Sequence, residues 1–292
     1  AFHNLATVYE IQRRYQDAKQ AYQQAILINP DNAASQFNLA GTLRHLGELD
    51  AAVNAYKRTL ELNPDNPSAH HLLSALTGQT TEAPPNEYIA DLFDGFSKTF
   101  DDHLVNKLGY QTPGEIHKAV MSVINRDHTY STLDLGCGTG LCGPLFIHQA
   151  SFLAGVDLSP GMIDKAKELN IYHELRVSDI QTYLDATTTN FDIIIAADVF
   201  VYIGNLEPTF RQCKNRLEEN GIFAFSIEEH NDPDYTLCST GRYAHSIEYI
   251  RKTASATGLI ELDFKSLVLR KQEGKPVQGC IFVFKNPDKP KS

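Results

Sequence analysis

The run Leu133-Asp134-Leu135-Gly136-Cys137-Gly138-Thr139-Gly140 constrains this chain more than any other stretch. An apolar segment ends in an acid and then in glycines at every second position, which reads as a buried strand breaking into a tight turn. A second apolar segment, Phe152-Leu153-Ala154-Gly155-Val156, ends in Asp157. Strand, glycine turn, helix and a second strand tipped with a carboxylate make a unit suited to a nucleotide-type ligand. The glycines let the backbone approach a ligand where a Cβ would collide. The carboxylate can accept both hydroxyls of a ribose, and a helix N-terminus after the turn favours an anionic group.

The spacing separates two ligand classes. A dinucleotide fingerprint places two residues between its second and third glycines. Here Leu141 stands where that third glycine would fall, and the rest of the chain offers no evident second catalytic domain. Both points count against a nicotinamide-dependent oxidoreductase. The motif as it stands, D-L-G-C-G-T-G, resembles motif I of class I S-adenosylmethionine-dependent methyltransferases. The resemblance continues in order through G-V-D-L-S around Asp157, S-P-G-M-I around Met162, Ser178-Asp179-Ile180 after a third candidate strand, Phe191–Ile195 as a fourth and Gly221–Ser226 as a fifth. It implies a Rossmann-like α/β fold with a seven-stranded sheet whose C-terminal strand is antiparallel, and S-adenosyl-L-methionine as cofactor. On that reading Asp134, Gly136, Cys137, Gly138 and Gly140 surround the methionine end. Asp157 and Leu158 hold the ribose, and Met162, Asp179 and Ile180 surround the adenine. From the residues alone, Asp157 and Asp179 also fit helix caps, and Met162 fits a core position.

Residues 1–78 repeat themselves. Leu5-Ala6, Tyr9, Ala18, Tyr22, Ala25 and Pro30 recur 34 residues later as Leu39-Ala40, Leu43, Ala52, Tyr56, Thr59 and Pro64. That period and small/aromatic pattern resemble tetratricopeptide repeats. Two short amphipathic helices cannot bury their faces alone, so such units stack into an all-α solenoid. Ala6, Ala18, Ala40 and Ala52 allow close helix contact while Tyr22 and Tyr56 fill the gaps. A third helix follows from Pro67 to about Leu76. The sequence opens at Ala1, not Met, at the start of a repeat, so further repeats are expected upstream. The resemblance implies a groove for a protein or peptide partner.

The prolines of residues 79–85 mark a linker, leaving 86–292 as the methyltransferase-like domain, with a helical cap over 86–125. In the cap, Phe93, Phe96, Phe100 and Leu104 lie at helical spacing, as a lid over the cofactor or as simple packing on the sheet. Residues 113–125 form a helix leading into the first strand. At the far end, Leu262–Arg270 and Val277–Lys285 flank Glu273-Gly274-Lys275-Pro276, a hairpin signal, and Asn286–Ser292 is expected to fray.

Methyl transfer is an in-line displacement at a sulfonium methyl, so the protein must mainly align the nucleophile and exclude water. The acceptor side falls at the ends of strands four and five. Asp198 in D-V-F-V-Y lacks the two prolines of the D/N-P-P-Y signature seen in methyltransferases acting on nucleobase and Gln nitrogens. This favours small-molecule or carboxylate and hydroxyl acceptors, free or carried on a protein. Tyr202 is a pocket candidate. Arg242 could pair an anionic substrate group, and His245 is a candidate proton acceptor, although each also fits a purely local structural role. The segment Gly-Arg-Tyr-Ala-His-Ser, with the repeats, resembles a group of predicted bacterial methyltransferases bearing such repeats. A non-catalytic repeat scaffold carrying a cofactor-binding domain remains the alternative.

Composition narrows the partners. A net charge of −10 lacks the basic footprint of a general nucleic-acid binder. No apolar run is long enough to span a bilayer, and no secretory h-region opens the sequence. Five cysteines without a CxxC pair read as reduced thiols in a cytoplasm, with no metal expected.

Overall fold

The computed structural model describes residues 1–96, 110–231, 233–272 and 275–287. The described chain divides into two compact units, one of residues 1–81 with 237–241 and one of residues 82–236 with 242–292.

The first unit is helical: α1 (Phe2–Ile11), α2 (Tyr15–Ile28), α3 (Ala33–His45), α4 (Leu49–Leu62) and α5 (Pro67–Thr77). The repeat pattern explains the pairing. Ala6, Ala18, Ala40 and Ala52 are fully buried, and Tyr22 and Tyr56 fill the space that these small residues leave. Each asparagine that opens a repeat caps a helix: the Asn32 and Asn66 side chains accept the amides of Ser35 (3.0 Å) and Ala69 (2.8 Å). Glu10 on α1 ties three helices together, accepting the Tyr22 hydroxyl of α2 (2.7 Å) and the Thr42 hydroxyl of α3 (2.6 Å).

The second unit is a three-layer α/β domain. Its strands are β1 (Tyr130–Leu135), β2 (Ala150–Asp157), β3 (Glu174–Val177), β4 (Phe191–Ala196), β5 (Leu217–Glu228), β6 (Tyr235–Leu237), β7 (Tyr243–His245), β8 (Ile260–Gln272) and β9 (Lys275–Lys285). Seven form one sheet in the order β3-β2-β1-β4-β5-β9-β8. Pairing is parallel from β3 through β5, and β9 runs antiparallel to both β5 and β8. The strand order reverses between β1 and β4, where an open α/β sheet leaves a crevice for ligands at its carboxyl edge.

Strand alternation builds both faces of this sheet. Ile194, Ala196, Phe223, Phe225, Phe282 and Phe284 face one core. Ile193, Ile195, Ile222, Ala224, Ile281 and Val283 face the other. That second face is covered by α7 (Thr112–Val123) and by the four-residue α8 (Gly143–Phe146). The first face packs an aromatic cluster in which Phe225 lies 5.0 Å from Phe200, 5.2 Å from Phe210 and 5.7 Å from Phe282, centroid to centroid. The remaining helices are α6 (Asn86–Phe96), α9 (Pro160–Glu168), α10 (Ile180–Ala186), α11 (Glu207–Arg216) and α12 (Ile247–Thr257).

Several boundaries differ from the sequence reading. Strand β5 begins at Leu217, before Gly221, because Leu217 still pairs with Phe191 at the start of β4, the register shifting before Ile222 meets Ile193. The helix expected over 113–125 ends at Val123. Strands β6 and β7 pair as a separate two-stranded ribbon in a segment whose polar residues gave no strand pattern. The helix expected after the glycine turn is only the four residues of α8, followed by a 3-10 turn at Ile147–Gln149. Of the expected cap helix, Phe100 and Leu104 lie outside the described residues, as do Glu273 and Gly274 of the hairpin signal.

Phe225→Ala would remove the ring at the centre of the aromatic cluster. A loss of about 3–5 kcal/mol of stability is expected, read as a fall in the denaturant midpoint.

Candidate active site

The glycine loop follows β1 directly. Gly136, Gly138 and Gly140 adopt φ values of 60°, 55° and 91°, a region that side-chain-bearing residues rarely enter. Crowding reinforces the requirement: a Cβ on Gly136 would stand 2.6 Å from a methyl carbon of Val199, just beyond β4. The loop is fastened to β2 at two points. The Cys137 amide donates to the Val156 carbonyl (3.0 Å), and the Gly138 amide donates to Oδ2 of Asp157 (2.9 Å). The other Asp157 oxygen accepts the Ser159 amide (2.9 Å). Each carboxylate oxygen retains acceptor capacity for a further donor. Burial pushes the Asp157 carboxyl up, and the Ser159 and Gly138 amides pull against that shift.

Asp134 sits at the foot of the loop, almost wholly buried. The Tyr172 hydroxyl donates to its Oδ2 at 2.7 Å. Burial pushes this carboxyl up to about 7; the Tyr172 hydrogen bond opposes the shift and Asp157 adds to it. Cys137 and Cys142 are also buried, which raises both thiols well above the ordinary range, so neither is an activated thiolate.

The other expected cofactor residues occupy three kinds of position. Leu158 is half-buried beside Asp157. Met162 is fully buried on α9. Asp179 caps α10 by accepting the Thr182 amide (2.9 Å), and Ile180 is partly buried against the core.

The residues expected on the acceptor side lie among four charges at the carboxyl edge of the sheet. Asp198 has a φ of 56°, an unfavourable conformation of a kind that recurs at functional sites. It is held there by Ser226, whose Oγ accepts the Asp198 amide (2.8 Å) and donates to its Oδ1 (2.9 Å). Its Oδ2 pairs with Arg270 at 3.3 Å. Arg270, nearly fully buried on β8, also pairs with Glu228 at the end of β5. Glu228 in turn lies 2.8 Å from Nε of Arg242. The Arg242 guanidinium lies over the Tyr202 ring, 4.9 Å from its centroid. Two arginines and two carboxylates therefore balance in formal charge, as burial requires. Tyr110 is also within electrostatic reach of Asp198, Arg270 and Asp134, and burial raises its phenol well above the ordinary range.

His245 differs from this group. It is fully buried, its Nε2 lies 3.0 Å from the Gly204 carbonyl, and burial pushes its imidazole down to about 4. A neutral ring in that setting is a poor proton acceptor, and the geometry favours a packing role among Tyr235 and Tyr249.

Helix α6 touches both sides of the site. Phe93 meets Tyr202 edge-on at 5.2 Å, and Asp94 accepts the Gly161 amide (3.1 Å) and the Ser159 hydroxyl at the start of α9. Sequence reasoning missed Tyr110, Tyr172, Ser226 and Arg270. The one sequence signal among them is Arg270, a charge that closes the apolar run Leu267-Val268-Leu269.

A family model described as a methyltransferase domain matches residues 126–274, and a tetratricopeptide-repeat model matches residues 11–76. The chain belongs to the methyltransferase-domain family. Among curated proteins, it is 27% identical over 128 residues to the ubiquinone biosynthesis O-methyltransferase of Glaesserella parasuis serovar 5, covering 41% of this chain and 52% of that protein. It is 24% identical over 98 residues to the 18S rRNA (guanine(1575)-N(7))-methyltransferase of Saccharomyces cerevisiae, covering 33% of this chain and 36% of that protein. The chain spans about half the length, or less, of these curated relatives. Among solved structures, the N-methyltransferase NodS of Bradyrhizobium japonicum WM9 with S-adenosyl-l-homocysteine superposes with a TM-score of 0.54 at 17% identity, over 68% of this chain and 99% of that one. The [4+2]-cyclase SpnF gives a TM-score of 0.56 at 15% identity, over 71% and 99% of the two chains. At these identities the likeness concerns the fold, which is that of class I methyltransferases. Among the described residues, no helix is long and apolar enough to cross a membrane, and no cluster of His, Cys, Asp and Glu is arranged to hold a metal ion.

Two outcomes follow from the charges. Arg270→Leu takes the buried guanidinium from two partly buried carboxylates, of which Glu228 keeps Arg242, and is expected to cost about 3 kcal/mol, measured by denaturant unfolding. Asp134 binds its proton more tightly folded than unfolded, so between about pH 4 and pH 7 the native state holds more protons. Its contribution to stability is full below about pH 4 and is lost as pH rises towards 7. Melting temperatures of the ligand-free protein across that window should show a downward component that Asp134→Asn removes.

Proposed function

We propose that this chain is an S-adenosylmethionine-dependent methyltransferase acting on an oxygen, nitrogen or carbon nucleophile of a small or protein-carried acceptor. The observation that carries the reading is the glycine loop itself, three positive-φ glycines bonded through the Gly138 amide to Asp157. A Cβ at Gly136 would collide with Val199, so that position of the loop requires glycine. The loop therefore offers a ligand backbone rather than side chains, beside a carboxylate with acceptor capacity left for ribose hydroxyls. The curated relatives' names support methyl transfer as the reaction class.

When bound, the cofactor supplies an electrophilic methyl on a sulfonium. Asp157 orients the ribose beside Leu158, and Met162, Asp179 and Ile180 form the adenine side. Asp134 and the loop backbone, including Cys137, hold the methionine end. Asp198 and Tyr202 face the acceptor: Asp198, fixed by Ser226 and Arg270, is placed to orient an acceptor hydroxyl or amine, or to receive its proton. Arg242 keeps the acceptor end closed by stacking on Tyr202 and pairing with Glu228. His245 supports this wall by packing. Helix α6 excludes water from above. The tetratricopeptide unit binds a protein or peptide partner. No nucleic-acid acceptor is proposed, since the net charge of −10 opposes it.

Calorimetric titration with S-adenosylmethionine and S-adenosylhomocysteine tests the reading. Micromolar binding is expected, weakened at least tenfold in Asp157→Ala, a loss of about 1.4 kcal/mol or more. Folded wild-type protein that binds neither ligand would leave the repeats as the functional part.

A further inference from the structure

Tyr172 stands outside every motif discussed so far, in the connection between α9 and β3. Its ring nonetheless occupies a slot made by three glycines. A Cβ on Gly140 would come within 3.1 Å of the ring, one on Gly143 within 2.9 Å and one on Gly155 within 3.0 Å. Gly140 has a positive φ that itself calls for glycine, but Gly143 and Gly155 are not among the positive-φ residues. Their missing side chains answer to crowding by the ring and its neighbours Ile171 and Leu175, not to backbone conformation. The ring is held from behind as well: the next residue, His173, donates its amide to the Leu153 carbonyl (2.8 Å), and its Nδ1 accepts the Leu153 amide (3.0 Å). Strand β2 thus fixes the tyrosine, and the tyrosine's hydroxyl reaches the buried carboxylate of Asp134 at 2.7 Å.

We infer that Tyr172 is a positioning residue for the cofactor, its ring setting the glycine loop against β2 and its hydroxyl holding Asp134 in the anionic form that the ammonium at the ligand's methionine end favours. This rests on the assignment of the loop to S-adenosylmethionine. The groups that act on Asp134 come from several elements: Tyr172 donates to it from the α9–β3 connection, and Asp157 opposes its ionisation from the end of β2. Cys137 and Cys142 lie within electrostatic reach on the glycine loop, and Tyr110 does so ahead of α7. Of these, Tyr172 is the one whose hydrogen bond favours the anion. Loss of its hydroxyl therefore raises the pH at which Asp134 takes up a proton. The packing of the ring is unchanged in Tyr172→Phe, which separates the hydroxyl's effect from a loss of shape.

The experiment is titration of the full chain with S-adenosylhomocysteine from pH 5.5 to 9, for wild type, Tyr172→Phe, Asp134→Asn and the double variant. Tyr172→Phe should fold normally and bind about tenfold more weakly at neutral pH, the order of one hydrogen bond to a charged group. Its affinity should begin to fall at a higher pH than that of wild type. Asp134→Asn should flatten the pH profile, and adding Tyr172→Phe to it should change little further. A purely structural tyrosine would lower affinity equally in both backgrounds without moving the profile, and that result overturns the proposal. So does wild-type affinity in Tyr172→Phe at every pH. Wild-type protein that binds no S-adenosylhomocysteine would instead overturn the cofactor assignment beneath it.

Discussion

The bond from the Gly138 amide to Asp157 links the two ends of the chemistry this domain can offer. It joins the turn after β1 to the tip of β2, so a single carboxylate orders the loop and borders the ligand crevice at once. The same carboxylate takes the Ser159 amide and so sets the entry into α9. Because β1 lies where the strand order reverses, these contacts converge on the one edge of the sheet left open by topology. The rest of the domain positions that edge: apolar alternation on both faces makes the sheet rigid, and the helices on each side keep β1 and β4 in register.

Two electrostatic solutions sit side by side at this edge. On the loop side, Asp134 is buried with the Tyr172 hydroxyl as its partner among the described residues, and burial pushes its carboxyl up. On the acceptor side, Asp198 and Glu228 are buried with arginines. The contrast is physical: a neutral partner leaves the cost of ionisation largely in place, whereas a guanidinium offsets it. The loop side can thus respond to a charged ligand, while the acceptor side is already balanced and holds its shape.

What could be read in the sequence follows from the range of each interaction. The glycine loop, Asp157 and the repeat pattern of Ala6, Ala18 and Tyr22 are local or periodic, so spacing alone exposed them. Strands β2 and β4 were legible because their apolar runs are nearly continuous, whereas β3, with Glu174 and Arg176, and the polar stretch after Leu217 in β5 carry no such run. Tyr172 and Ser226 were invisible because their roles depend on neighbours far apart in the chain, Asp134 for one and Asp198 for the other. His245 illustrates the converse: a histidine in a polar segment promised chemistry, but the fold buries it against Tyr249 and the Gly204 carbonyl. Arg242 was singled out as a candidate partner for an anionic substrate group, and in the fold its guanidinium pairs with Glu228.

The antiparallel hairpin of β8 and β9 has a consequence in time as well as in space. Strand β5 and both acceptor-side carboxylates precede it in the chain, while the arginine that bridges them, Arg270, arrives on β8. A ribosome therefore releases the glycine loop, β4 and β5 before the counter-charge exists. Until the hairpin docks, Asp198 is without the Arg270 guanidinium and stays ionised in contact with water, while Glu228 can already pair with Arg242. The acceptor end of the crevice is thus the last part of this domain able to close, and its closure reports that the chain has been made through to β9.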